Sequence, residues 1–160
     1  MAQLRGLAPL IDERARVLVL GSFPSEASLA AQQYYAHPQN HFWRILGAIV
    51  GRPLYDMDYA ARQAAVKDAG IAIWDVYDAC LREGSLDADI RAARPNDFDA
   101  LRRIAPQLRR ACFNGKTAGK FAPRLAALGF ETAVLPSTSP AHTLPFEEKL
   151  AAWRAALLGT

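Results

Sequence analysis

Two side-chain amides, one loop aromatic and one cluster of hydroxyls are the residues of this chain best equipped for chemistry. Asn40 lies in YYAHPQNHFW (34–43) and Asn114 in FNGK (113–116). Phe23 lies in the loop GSFPS (21–25), and Ser137, Thr138, Ser139, Pro140 and His142 crowd into PSTSPAHT (136–143). An amide presents donor and acceptor together, which suits it to reading the edge of a flat ring or holding a water. An aromatic side chain in a glycine- and proline-bearing loop is poorly explained as core, and it can stack on a planar ligand. Hydroxyls and backbone N–H groups in a proline-rich turn bond either to backbone or to phosphate.

Each of these residues also has an ordinary reading. Asn40 stands where it could cap a helix beginning near His41. Asn114 before Gly115 fits a turn. Other chemistries are poorly supported: GSFPS has neither GxGxxG spacing nor a Walker lysine, so a nucleotide cofactor is not expected. His37 and His41 are four apart, as zinc ligands on a helix would be, but Pro38 intervenes and no third ligand is near, so no metal is expected. Ser137, Ser139 and His142 have the residue types of a nucleophilic triad without evidence of its geometry. Asp75 and Asp78 could form an acid–base pair, although an Asp at a strand end more commonly accepts backbone N–H bonds.

These residues fall at the ends of predicted elements. The apolar runs RVLVL (16–20), IAIWDVYD (71–78), ACFNG (111–115) and ETAVLPS (131–137) read as strands. Helical spacing of apolar residues predicts helices over 42–50, 57–69, 98–108, 116–128 and 146–158. Such alternation predicts a three-layer α/β/α sandwich around a mainly parallel sheet of about four strands. In open sheets of this kind ligands gather beyond the carboxyl ends of the strands, where the stretches above all lie. Residues 82–97, REGSLDADIRAARPND, read as a long ordered loop.

With 160 residues, 51% of them hydrophobic, the chain is expected to form one domain over 1–160. No apolar run approaches the roughly 18 residues of a membrane span, and MAQLRGLAPLIDERAR lacks a signal-peptide centre, so a cytoplasmic protein is expected. Cys80 and Cys112 form no CxxC pair and read as ordinary buried thiols. The net charge is only +3; 15 arginines against 4 lysines suit planar contacts to phosphate, although a GC-rich genome would raise arginine just as well.

Taken in order and at their separations, GSFPS, YYAHPQNHFW, IWDVYD, FNG and PSTSPAH resemble the motifs of the uracil-DNA glycosylase superfamily. The closest likeness is to its hypoxanthine-DNA (DNA-deoxyinosine) glycosylase branch, and it runs from about Val17 to Leu157. Many members carry a catalytic Asp or Asn in the loop after the first strand, as in a G-I-N-P-G pattern. Here Ser22 stands in that place, as in the hypoxanthine branch, where the asparagine before HFW supplies the catalytic amide. The resemblance thus implies that Asn40 is catalytic and that Gly21, Ser22, Phe23 and Asn114 bind the extruded base. It implies further that Ser137, Thr138, Ser139, Pro140 and His142 contact DNA, with Leu144 or Pro140 as a wedge.

The implied activity is removal of a deaminated base, hypoxanthine by preference, from DNA. Such an enzyme flips the nucleotide into a pocket at a cost of a few kcal/mol and hydrolyses its N-glycosidic bond, leaving an abasic site. It would act as a monomer without metal or cofactor, with Lys116 and Lys120 available to line the DNA face. Two alternatives stay open: a glycosylase acting mainly on uracil in G·U mismatches, and a non-catalytic nucleic-acid-binding module whose loops only grip phosphate.

Overall fold

A computed structural model describes residues 2–159. In chain order the elements are β1 (Leu4–Arg5), β2 (Val17–Gly21), α1 (Glu26–Ala31), α2 (Phe42–Val50), α3 (Tyr59–Asp68), β3 (Ile71–Asp75), β4 (Tyr77–Leu81), β5 (Arg91–Pro95), α4 (Leu101–Ile104), β6 (Arg110–Asn114), α5 (Lys116–Gly119), α6 (Ala122–Ala127), β7 (Glu131–Leu135) and α7 (Phe146–Leu158). Four strands pair in parallel in the order β3-β2-β6-β7. The central strand β2 is buried along its whole length, as expected of a strand covered on both faces.

Alternation along the strands divides the core into two layers. Val17, Val19, Ile71, Ile73 and Cys112 face a cluster containing Phe42, Trp43, Ile45 and Leu46 of α2, Ala65 and Val66 of α3, and Leu150, Trp153 and Leu157 of α7. Leu18, Leu20, Ala72, Ala111 and Phe113 face the other side, against Phe98, Leu101, Leu108, Ala118, Leu125 and Phe130. This is the expected three-layer α/β/α sandwich, produced by the twofold side-chain period of the strands meeting helices on both faces.

Several boundaries differ from expectation, for identifiable reasons. The strand expected over 71–78 ends at Asp75. Val76, fully buried, donates its N–H to the Gly21 carbonyl and accepts from the Asn96 N–H, and the chain then enters β4. There it joins a separate antiparallel sheet, β1-β4-β5, that the sequence did not announce. Residues 82–97 are correspondingly not all loop, since β5 forms an exposed edge strand ending on Pro95, where a missing N–H does no harm.

The period over 98–108 yields only the single turn of α4, because Pro106 drives Ala105 out of helical geometry (φ −131°, ψ 84°). The helix expected over 116–128 divides into α5 and α6. Pro123 would crowd the carbonyl of Gly119, so it sits instead in the first turn of a new helix. In α2 the helix stops at Gly51, whose φ of 75° is the left-handed conformation that closes a helix.

Candidate active site

The carboxyl ends of β2, β3 and β6 are Gly21, Asp75 and Asn114. Beyond them lies a cavity of about 390 Å³, within the usual range for a small-ligand pocket. Gly21, Ser22, Phe23, Asn40, Asn114, Ser137, Thr138, Ser139, Pro140 and His142, all singled out from the sequence, line this one cavity. Lys116 and Lys120 are exposed outside its lining.

Phe23 is 7% exposed yet belongs to neither apolar cluster. Its ring forms part of the cavity wall, with the Arg82 guanidinium 5.3 Å from its centroid. Arg82 is itself buried and donates to the carbonyls of Gly84 (2.8 Å) and Pro24 (2.6 Å). Ser22 donates its hydroxyl to the Asp87 carboxylate at 2.6 Å, and the Glu26 N–H donates to the Ser85 hydroxyl at 2.9 Å. The long segment after β4 is thereby latched onto the loop after β2, and Ser85, Leu86 and Asp87 become part of the rim. Nothing in the composition of 82–97 signalled that contribution.

Asn40 both caps a helix and lines the cavity. Its Oδ1 accepts the Phe42 N–H at 2.9 Å, the contact expected of a helix cap, and His41 between them already has helical φ and ψ (−80°, −4°). The same side chain lines the cavity, and its Nδ2 has no acceptor among the described residues. The neighbouring His41 N–H donates to the Thr138 carbonyl at 3.0 Å, tying the Asn40 turn to the hydroxyl-rich loop. Burial, then the positive charges of Lys149 and Arg44, hold the His41 imidazole below its ordinary pKa.

Asn114 is engaged inside the protein. Its Oδ1 accepts the Thr138 N–H (2.9 Å), and its Nδ2 donates to the Thr138 hydroxyl (2.9 Å) and the Tyr35 hydroxyl (3.2 Å). The side chain thus clamps the loop that carries Ser137 and Ser139. Gly115 must be glycine: its φ is 95°, and a Cβ there would stand 3.2 Å from that of Ser137. Ser137 and Ser139 use their hydroxyl oxygens to accept the N–H groups of Ser139 and Ala141, which builds the turn, while Pro140, Ala141 and His142 are exposed. Beneath the loop, fully buried Lys149 donates its Nζ to the Ser139 carbonyl at 3.3 Å, and burial lowers its pKa.

Two residues matter more than the sequence suggested. Tyr35 is held at φ +53°, uncommon for a residue with a Cβ, and stacks on Phe42 with ring centroids 3.9 Å apart. That conformation delivers its hydroxyl to the cavity, and no local sequence signal predicts it. Asp75 was expected to accept backbone N–H bonds at its strand end, and it does not: the side chain is 5% exposed and its Oδ2 has no partner. Burial, and secondly the charge of Asp87, push its pKa up to about 7, with Arg82 opposing. Asp78, by contrast, is a surface residue of β4 whose Oδ2 accepts from Nε and Nη2 of Arg94 at 3.1 and 2.6 Å. Cys80 and Cys112 are free buried thiols, the latter pushed up to about 11 by burial. Among the described residues no group of three or more His, Cys, Asp and Glu side chains is placed to hold a metal ion.

The family model for the uracil DNA glycosylase superfamily matches residues 8–157. A hypoxanthine DNA glycosylase of Methanosarcina acetivorans is 42% identical over 151 residues, covering 94% of this chain and 96% of that protein. One of Methanosarcina barkeri is 41% identical over 152 residues, covering 95% and 96%. The solution NMR structure of a Methanosarcina acetivorans protein, described as a candidate uracil DNA glycosylase, superposes with a TM-score of 0.86 at 41% identity, covering 98% of this chain and 99% of that one. With the sandwich, the cavity at its strand ends and these relatives in agreement, the chain belongs to the uracil DNA glycosylase superfamily.

Proposed function

We propose that this protein is a DNA-repair glycosylase, a single domain over 1–160, that excises hypoxanthine from deoxyinosine-containing DNA and leaves an abasic site. The observation that carries the reading is the convergence of Phe23, Asn40 and the 137–142 loop on one cavity beyond the strand ends. The names of the two Methanosarcina relatives favour hypoxanthine as the base.

The chemistry follows from the groups present. A flipped nucleotide places its base against Phe23, where stacking of one base contributes about 1–3 kcal/mol. The backbone turn at 137–142 meets the flanking phosphates. Breaking the C1′–N bond leaves the electron pair on the base and positive character on the sugar, and water then bonds to C1′ and gives up a proton to the base or solvent. The remaining lone pair of Asn40 Oδ1 accepts one hydrogen of that water and aims its oxygen at C1′. A neutral amide does not ionise the water, so the acceleration comes from orientation and from stabilising the departing anion. The N–H groups of the loop after β2 point that stabilisation at the base.

Labelled duplexes carrying hypoxanthine, uracil or xanthine, or no lesion, followed by alkali, test the reading. Strand breaks are expected at hypoxanthine first. Cleavage mainly at uracil opposite guanine would reassign the substrate. Binding that weakens steeply with salt and releases no base would reassign the protein as a non-catalytic module.

A further inference from the structure

The mechanism above leaves one buried polar group of the cavity without a task. Asp75 ends β3, lines the cavity and is shielded from water, and its Oδ2 is bonded to nothing. Native proteins rarely leave a buried polar atom unpaired unless a ligand or a functional strain explains it. The carboxyl group is held at the centre of the strand ends: a Cβ on Gly21 would stand 2.6 Å from Asp75 Oδ1 and 2.8 Å from the Tyr35 hydroxyl. Asn114 Nδ2 serves Thr138 and Tyr35, and the Ser22 hydroxyl serves Asp87; the neighbouring Tyr35 hydroxyl and Arg82 Nη1 keep a free proton, yet neither makes a hydrogen bond to the carboxyl group.

We propose that Asp75 recognises the extruded base, donating a hydrogen bond from its neutral carboxyl group to a carbonyl oxygen of the base. The inference rests on the glycosylase reading above. Deamination creates that carbonyl where an amine stood, and charge flows onto it as the C1′–N bond breaks. A hydrogen bond from a fixed, desolvated O–H therefore strengthens toward the transition state, while its proton stays on Asp75. An ionised carboxylate at the same place would repel the departing anion. The neutral form is supported by the environment: burial pushes the pKa up to about 7. The charged and titratable groups facing Asp75 are Asp87 and Arg82 from the segment after β4, and Tyr34 and Tyr35 from the connection before α2.

The test is single-turnover cleavage of a hypoxanthine duplex from pH 6 to 8.5. The wild-type rate is expected to fall on the order of tenfold across that range as Asp75 ionises. Asp75→Asn, which keeps a donor at every pH, is expected to cleave more slowly at pH 6 but with a level profile. A parallel duplex carrying unsubstituted purine, which has no carbonyl oxygen, is expected to show no such fall in the wild type, and this arm needs no variant to fold. A flat wild-type profile, a fall that persists in Asp75→Asn, or an equal fall on unsubstituted purine overturns the assignment. Absence of base release at any pH overturns the glycosylase reading itself, so the two failures are distinguishable.

Discussion

Replacing Asn40 separates the capping contact that its side chain makes from the catalytic role proposed for it. Its Oδ1 holds the Phe42 N–H at 2.9 Å at the start of α2, and the residue lines the cavity. Asn40→Ala deletes the cap, which costs about 1 kcal/mol and, in a chain of this size, about 2–4 °C in Tm. It also deletes the water acceptor, and the single-turnover rate on a hypoxanthine duplex is expected to fall about a hundredfold or more. Asn40→Asp keeps an oxygen in both places. Its Tm should match the wild type, and its rate should stay within about tenfold. Thermal unfolding and single-turnover cleavage on the same preparations check both halves. If Asn40→Ala lowered Tm yet cleaved within threefold of the wild type, the amide would be a cap only. If Asn40→Asp were stable but inactive, Nδ2 rather than Oδ1 would be the working end.

Three other outcomes are expected. Gly21→Ala forces a methyl group to within 2.6 Å of Asp75 Oδ1 and 2.8 Å of the Tyr35 hydroxyl, so urea unfolding should show a loss of about 1–3 kcal/mol together with weaker base release. Phe23→Ala should weaken binding of lesion DNA about fivefold or more by fluorescence anisotropy, and, because the ring is buried beneath Arg82, should also lower Tm, whereas Phe23→Leu should keep most of the Tm and still lose the stacking. Asp75 has a folded pKa near 7, above the ordinary carboxylate value, so the folded state holds the proton longer and stability falls as pH rises from about 4 to 7. Asp75→Asn removes that dependence. Its stability relative to wild type should rise between pH 4.5 and 8 by up to about 3 kcal/mol in urea unfolding, and parallel curves would contradict the burial argument.

What could be read from residues alone was the part governed by short-range pattern. Val17–Gly21 is apolar throughout because a central parallel strand is covered on both sides, and 42–50 repeats apolar residues at helical spacing, so both were legible. Proline was the signal underweighted: Pro106 and Pro123 each cut a helical period that apolar spacing alone would continue. The small sheet was hidden because β5, RAARP, has no large apolar or β-branched residue, is exposed along its length and pairs with β4, ten residues upstream, without any alternation to announce it. In the site, residues next to strand ends were found because topology places them there. Tyr35 depends on a left-handed backbone, Asp87 on a distant segment folding back to Ser22, and the unpaired state of Asp75 on burial. These are properties of the folded arrangement and not of neighbouring residues.

The hydrogen bond from the His41 N–H to the Thr138 carbonyl, with Lys149 holding Ser139 from below, has a consequence for what the protein leaves alone. The turn presenting Asn40 and the 137–142 loop are one mechanical piece, so under the proposed function engagement of the polymer and alignment of the water would be a single event. Free deoxyinosine offers the base but no flanking phosphates to grasp. It should be spared, and the proofreading of a genome kept apart from the turnover of its loose building blocks.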